Sequence, residues 1–262
     1  SLLRSAPREH AWIDIPSMGL DAIKSRLDFI ASNNEIKVAG NKYHKQNKIV
    51  EISQALLDIS HGYPLHIIYS LNSLQLADKN ISKYDVERLP TCPDGDIHEY
   101  YENLWVSLSE GAKEILLLIA NADFSWPDKT HISYCFEDSL TFQTSFSEIQ
   151  HLIEQRLSGI YPFHSSLFVY LRRKDAFVQS RDRLNRISKI WINTHAPEYW
   201  RWGWEWIIEA NLGNITPLFQ GVDRDWLVQS LCNGYPLEHI EHIFSVAERI
   251  AFDQNLYSEL LR

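Results

Sequence analysis

Ser147-Glu-Ile-Gln-His-Leu-Ile-Glu-Gln-Arg-Leu-Ser-Gly-Ile-Tyr-Pro-Phe-His164 is the stretch on which the fold turns. Ser147 has the side chain of an N-cap, and Gln150, three residues on, completes a capping box. The spacing predicts a helix over Glu148–Leu157, with Ile149, Leu152 and Ile153 facing inward. Gly159 stops it. Ile160–His164 and Leu167–Leu171 follow as short β or β-turn material. Upstream, Ile97–Ser109 and Glu110–Ala122 read as helices with Gly111 between them, and Tyr134–Phe146 alternates weakly.

Helices followed by a hairpin are the element order of a winged helix. On its N-terminal side lies a different kind of segment. Asp21–Ala31 reads as a helix with Ile23, Leu27 and Ile30 on one stripe, and Asn33–Lys48 as a polar loop. Ile49, Ile52, Leu56 and Ile59 recur on one helical face until Gly62, and Leu65–Leu76 resumes as helix after Pro64. Residues 78–95 are polar and hold Pro90, Pro93 and Gly95, so they read as a connector. Trp12–Ile15 reads as a strand with no earlier partner, so the chain is expected to be part of a larger protein. From Asp175 onward the pattern is helical throughout, with turns at Asn211–Asn214 and Cys232–Pro236, as in stacked helical hairpins.

Composition narrows the function classes. The 262 residues carry 25 Lys+Arg against 34 Asp+Glu, a net charge of −9 that disfavours a chain-wide nucleic-acid or anionic-membrane surface. Hydrophobic residues make up 45%, too many for disorder. Cys92, Cys135 and Cys232 are far apart and form no CxxC pair, which excludes a disulfide framework or zinc ribbon and points to a reducing compartment. No apolar run reaches the length of a membrane helix, since Ile115–Ala120 is only core length. The 10 Gly and 10 Pro are few, and the 9 Trp and 12 Tyr are many, a balance suited to packed helices.

No catalytic constellation stands out. GxxxxGK[ST], GxGxxG, HExxH and GxSxG are all absent. His98 lacks a second histidine at helical spacing, and Cys92 lacks a basic neighbour to make it a thiolate. His239 and His242, with Glu238 and Glu241, are either half a metal site or a solvated helix face. Arg172, Arg173, Lys174, Arg181, Arg183, Arg186 and Lys189 stand against Asp175 and Asp182, a local excess that either contacts phosphates or balances an acidic neighbour. In Tyr199–Trp206 a helix puts Tyr199, Trp202 and Trp206 on one face and Trp200 and Trp204 on another. Rings on two faces favour burial between neighbours over a base-stacking platform.

Two motifs taken together resemble one family. His61-Gly-Tyr-Pro-Leu-His66 resembles the Gly-x-Pro motif in the helical lid of STAND NTPases, the signal-transduction ATPases that include NACHT and NB-ARC proteins. In that family the Gly-x-Pro backbone packs beside the adenine, which implies nucleotide-binding roles for Gly62 and Pro64. Tyr161-Pro-Phe-His-Ser-Ser-Leu-Phe168 resembles the hairpin of the family's winged helix, where a histidine reaches the β-phosphate of ADP and holds the inactive state. The matching position is His164. Leu89-Pro90 and Glu99–Trp105 look like the start of that domain, and Ala196–Trp202 like the opening of the trailing helical array.

The likeness spans residues 10 to 200 and departs in one large respect: Walker A, Walker B and the sensor arginine are absent and are expected upstream of Ser1. It implies a mainly α fold, with 1–17 a remnant of the NTPase core, 18–95 a helical lid, 96–175 a winged-helix domain with a small β-hairpin, and 176–262 α-helical hairpin repeats. The implied role is nucleotide sensing and control of oligomerisation in a cytoplasmic STAND ATPase, with bacterial antiphage defence as a setting. ATP or ADP with Mg would belong to the parent protein, and the isolated chain would hold no cofactor, no metal and no catalytic residue. Implied partners are the upstream core, further copies of the parent and a protein ligand for the repeats, without nucleic acid or membrane. Two other readings remain open. One is a winged-helix nucleic-acid-binding protein that uses Arg172–Lys189, and the other is a helical-repeat protein-interaction scaffold.

Overall fold

The structure, a computed structural model, describes residues 16–38, 42–76, 79–91 and 97–256. The expected strand at Trp12–Ile15, most of the expected core remnant 1–17, Cys92 and the residues at the proposed 95/96 boundary lie outside the described residues. The described chain is mainly helical with one small antiparallel sheet, and it forms two compact units that divide between Ser107 and Leu108.

The first unit holds α1 (Leu20–Ser32), α2 (Lys42–Ser60), α3 (Pro64–Leu76), α4 (Lys83–Glu87) and α5 (Ile97–Ser107). Its core is the set of stripes expected from the periodicity: Ile23, Leu27 and Ile30 from α1 meet Ile52, Leu56 and Ile59 from α2, with Ile67, Leu71 and Leu74 from α3. Asn33–Lys48, expected to be loop, contains the start of α2 at Lys42. His44, Gln46 and Asn47 are exposed, so that end of the helix has no apolar stripe to announce it. The connector at 78–95 contains α4, whose one fully buried side chain is Val86.

A polar group sits inside this first core. His66 is fully buried, lies edge-on to Tyr100, and donates from Nε2 to the Pro90 carbonyl at 2.8 Å. Its Nδ1 is buried without a partner. Burial penalises the charged ring and pulls the pKa from 6.5 to about 4.

The second unit begins with α6 (Glu110–Asn121), α7 (Lys129–Ser133) and α8 (Ser139–Ile149), followed by β1 (Ile153–Arg156), β2 (Gly159–Pro162) and α9 (Ser165–Leu171). Ser109, Asp128 and Asp138 cap the three helices by accepting backbone N–H bonds of their first turns. β1 and β2 pair antiparallel, from Ile153 opposite Pro162 to Arg156 opposite Gly159. Gly159 has φ +129°, and a Cβ there would stand 2.7 Å from both the Ser125 Cβ and the Trp126 carbonyl oxygen.

Three expectations are corrected here. The helix expected over Glu148–Leu157 lies earlier, at Ser139–Ile149, and Ile153–Arg156 is the first strand of the hairpin. Ser147 is not a cap: it is inside α8 and donates to the Gln143 carbonyl at 2.7 Å, while Asp138 takes the Leu140 and Thr141 N–H groups. Leu167–Leu171, expected as β material, is helical because Leu167, Tyr170 and Leu171 are buried at helical spacing.

The array that follows is α10 (Asp175–Thr194), α11 (Glu198–Asn211), α12 (Thr216–Gly221), α13 (Arg224–Cys232) and α14 (Leu237–Asp253). The tryptophans of α11 are packing residues. Trp204 is buried, and Trp202 donates to the Ser230 hydroxyl at 2.7 Å. Ser230 in turn donates to the Trp226 carbonyl, and the Trp226 indole donates to the Trp202 carbonyl, closing a ring of three bonds between α11 and α13. Gly203 lets α14 pack against the same helix, since a Cβ would stand 2.5 Å from Ile243 Cδ1 of α14.

Two measurements check this packing. Trp191 is fully enclosed between Phe124 and Trp126, so Trp191→Ala should cost about 3–5 kcal/mol in denaturant unfolding of the second unit. Half-buried Trp202 should cost less, and the reverse order would contradict the burial described. In the first unit, the unfolded chain takes up a proton on His66 near pH 6.5 and the folded chain only near 4, so stability falls as pH drops through that window. Between pH 7 and 5 the loss should be about 2 kcal/mol, on the basis of ~1.4 kcal/mol per pKa unit. His66→Phe should flatten the slope, and an unchanged slope would place the titration on another group.

Candidate functional site

The three residues singled out by the family likeness fall in different units: Gly62 and Pro64 in the first, His164 in the second. Gly62 follows α2 with φ +77°, and its carbonyl accepts the Met18 N–H at 2.7 Å. A Cβ there would stand 2.5 Å from the Met18 carbonyl oxygen. Glycine is therefore demanded both by the left-handed turn and by the strand of chain laid against it. Pro64 is the first residue of α3, where a missing N–H costs nothing.

His164 is exposed at the junction between β2 and α9. It is the N-cap of α9. Its Nδ1 accepts the Ser166 backbone N–H at 3.3 Å and lies 2.7 Å from the Ser166 hydroxyl. A neutral ring whose Nδ1 accepts that bond carries its proton on Nε2. The capping contact thus fixes both the tautomer and the orientation of the imidazole, and leaves one donor at the surface.

The basic run along α9 and α10 is largely engaged within its own unit. Arg172 donates to the Ala120 carbonyl at 2.9 Å, Lys174 lies over the Tyr170 ring, Arg183 pairs with Glu114, and Lys189 pairs with Glu209 at 2.5 Å. Arg183 and Lys189 balance acidic neighbours, while Arg172 and Lys174 are engaged by a carbonyl and an aromatic ring.

His239 and His242 of α14 are not a solvated face. Both lie beside the Trp204 ring, His239 Nδ1 is hydrogen-bonded to the Tyr199 hydroxyl, and the His242 Nε2 is buried with no partner. Burial, with a smaller contribution from His242, pulls the His239 pKa below its ordinary value. No group of three or more metal-ligating side chains occurs among the described residues. Cys135 is no nucleophile, because burial pushes its thiol up to about 12.

These histidines face a cavity of about 330 Å³ that the sequence did not reveal. Ile119, Phe124, Ile160, Phe168 and Trp204 make its apolar walls, and Asp123, Glu238, His239 and His242 its polar ones. They come from α6 and the segment just after it, and from β2, α9, α11 and α14. These parts are far apart in the chain, so no single local spacing signals the site.

Among the described residues no helix is long and apolar enough to cross a membrane. Comparison with protein-family models, with curated proteins and with solved structures finds no match to this chain.

Proposed function

We propose that this chain is the lid, winged-helix and sensor region of a cytoplasmic STAND-type ATPase, in which His164 reads the diphosphate of a bound nucleotide. The observation that carries the reading is the setting of His164: exposed, at the point where a two-stranded hairpin passes into a helix, with Nδ1 held and Nε2–H available. An N–H donated to a phosphate oxygen is a charge-assisted bond that exists only when the diphosphate is present. It therefore biases the closed state by its differential contact.

Element order supports the winged helix. α6, α7 and α8 precede the β1–β2 hairpin, and Ile160 of β2 donates to the Trp126 carbonyl at 2.7 Å, an added edge between α6 and α7. In this reading the domain starts at Ser109, the cap of α6, because α5 belongs to the first compact unit. Gly62 and Pro64 supply the lid turn, α10–α14 form the sensor array as helical hairpins, and ATP or ADP with Mg is held jointly with a nucleotide-binding core outside this chain. Oligomerisation of the parent and a role in antiphage defence belong to the same reading.

The nucleic-acid reading is weaker on two counts. The exposed residues of α8, the helix that would enter a groove, are Ser139, Leu140, Thr141, Gln143, Thr144 and Ser147, without a cation. Of the neighbouring cations, Arg183 and Lys189 are ion-paired and Arg172 and Lys174 are engaged by a carbonyl and a ring. A protein-interaction scaffold is the second reading, to which the run of helices α10–α14 is suited.

The test is ADP affinity in the ATPase that contains this chain. His164→Ala should weaken ADP roughly 10-fold, within the 1–3 kcal/mol span of allosteric couplings, and should raise basal activity or self-assembly. The variant should keep its fold, because it loses one exposed cap. The isolated chain should not hydrolyse ATP, having no phosphate loop. Equal ADP affinity and unchanged basal activity in a folded His164→Ala protein would refute the role.

A further inference from the structure

We propose that the cavity bounded by β2, α9, α11 and α14 is a binding site for a small organic cation, a protonated amine on an aromatic or apolar body. Its volume, about 330 Å³, is at the lower end of the range of small-molecule pockets. The sign of the ligand follows from the lining. Asp123 and Glu238 contribute carboxylates, and neither lysine nor arginine contributes a side chain. The Arg156 guanidinium lies over the Tyr161 ring and is paired with Glu154 at 2.8 Å. An anion in the cavity meets two like charges and a cation two opposite ones, Asp123 being shared with a neighbouring polar cavity that Arg172, Arg181 and Arg249 line.

The apolar walls specify the rest of the ligand. Phe124, Phe168 and Trp204 present ring surface, and a cation beside such rings gains from their quadrupoles. One acceptor is oriented at the same place: Asp123 spends Oδ2 on the Asn211 amide at 3.0 Å, which orients the carboxylate, and an ammonium N–H is a donor suited to such a group. The site lies wholly in the second unit and does not depend on the nucleotide reading.

The test uses the purified 262-residue chain and two probes of one shape and opposite charge, phenethylamine and 3-phenylpropionate, in calorimetric titration at pH 7.5. Phenethylamine should bind at least 10-fold more tightly than 3-phenylpropionate. Asp123→Asn should lose at least 10-fold of that affinity, and Glu238→Gln, an exposed position that does not threaten folding, a few-fold. Equal affinity for the two probes would reduce the cavity to an apolar patch and overturn the proposal. So would undetectable binding of phenethylamine at millimolar concentration, or an amine affinity unchanged in Asp123→Asn and Glu238→Gln together.

Discussion

Trp126 is fully enclosed, and three parts of the second unit meet on it. Its carbonyl takes the Ile160 N–H and so holds the hairpin. Its indole lies 4.5 Å, centroid to centroid, from Trp191 of α10, and 5.3 Å from Phe124, which in turn touches Trp204 of α11. Ring pairs at these separations contribute beyond their buried area, and removing one leaves a void that neighbours cannot fill. The same residue explains why position 159 is glycine, since any Cβ there would strike the Trp126 carbonyl and the neighbouring Ser125. The hairpin, the long helix α10 and the Trp-rich helix α11 are thus placed relative to one another by a single aromatic seam.

That seam also shapes both candidate sites of the unit. By holding β2, it sets where the strand ends and where His164 can begin α9 as a cap. By bringing Phe124 and Trp204 together beside α14, it leaves the cavity that Asp123, Glu238 and His242 help to line. The two sites differ in electrostatic character. At His164 the ring offers a donor suited to phosphate oxygens, whereas the cavity offers acceptors and negative charge suited to an ammonium group. The first unit solves a different packing problem. Its core is mostly aliphatic, and its buried histidine is kept neutral by desolvation and anchored through one bond to the Pro90 carbonyl.

Much of this was legible in the residues themselves. The stripes of Ile23, Leu27 and Ile30, of Ile49 to Ile59, and of Ile240, Ile243 and Ala247 repeat at the period of a helix, and that period is local chemistry. Rings on two faces of Tyr199–Trp206 forecast burial between neighbours, and the forecast matches Trp204 and the bonded Trp202. The minority of strand was also foreseeable from few glycines and prolines. Errors came where one residue type serves two purposes. A serine can cap a helix or bond back inside one, and Ser147 does the second because Phe142, Phe146 and Ile149 must share the buried side of α8.

By itself, then, the sequence determined a helical chain with a short hairpin, the positions of most helices, and the candidate residues Gly62, Pro64 and His164. The tertiary structure alone decided what surrounds them. It showed that Gly62 is packed against the Met18 backbone, that His164 is exposed with Nδ1 already bonded, and that the basic run is partly neutralised by Glu114 and Glu209. It alone assembled the acidic, aromatic cavity from residues between Ile119 and His242. The physical reason is range. Helical period, caps and turns are contacts within a few residues, which spacing records, while burial, ion pairing and cavity walls join residues whose separation in sequence carries no information about their distance in space.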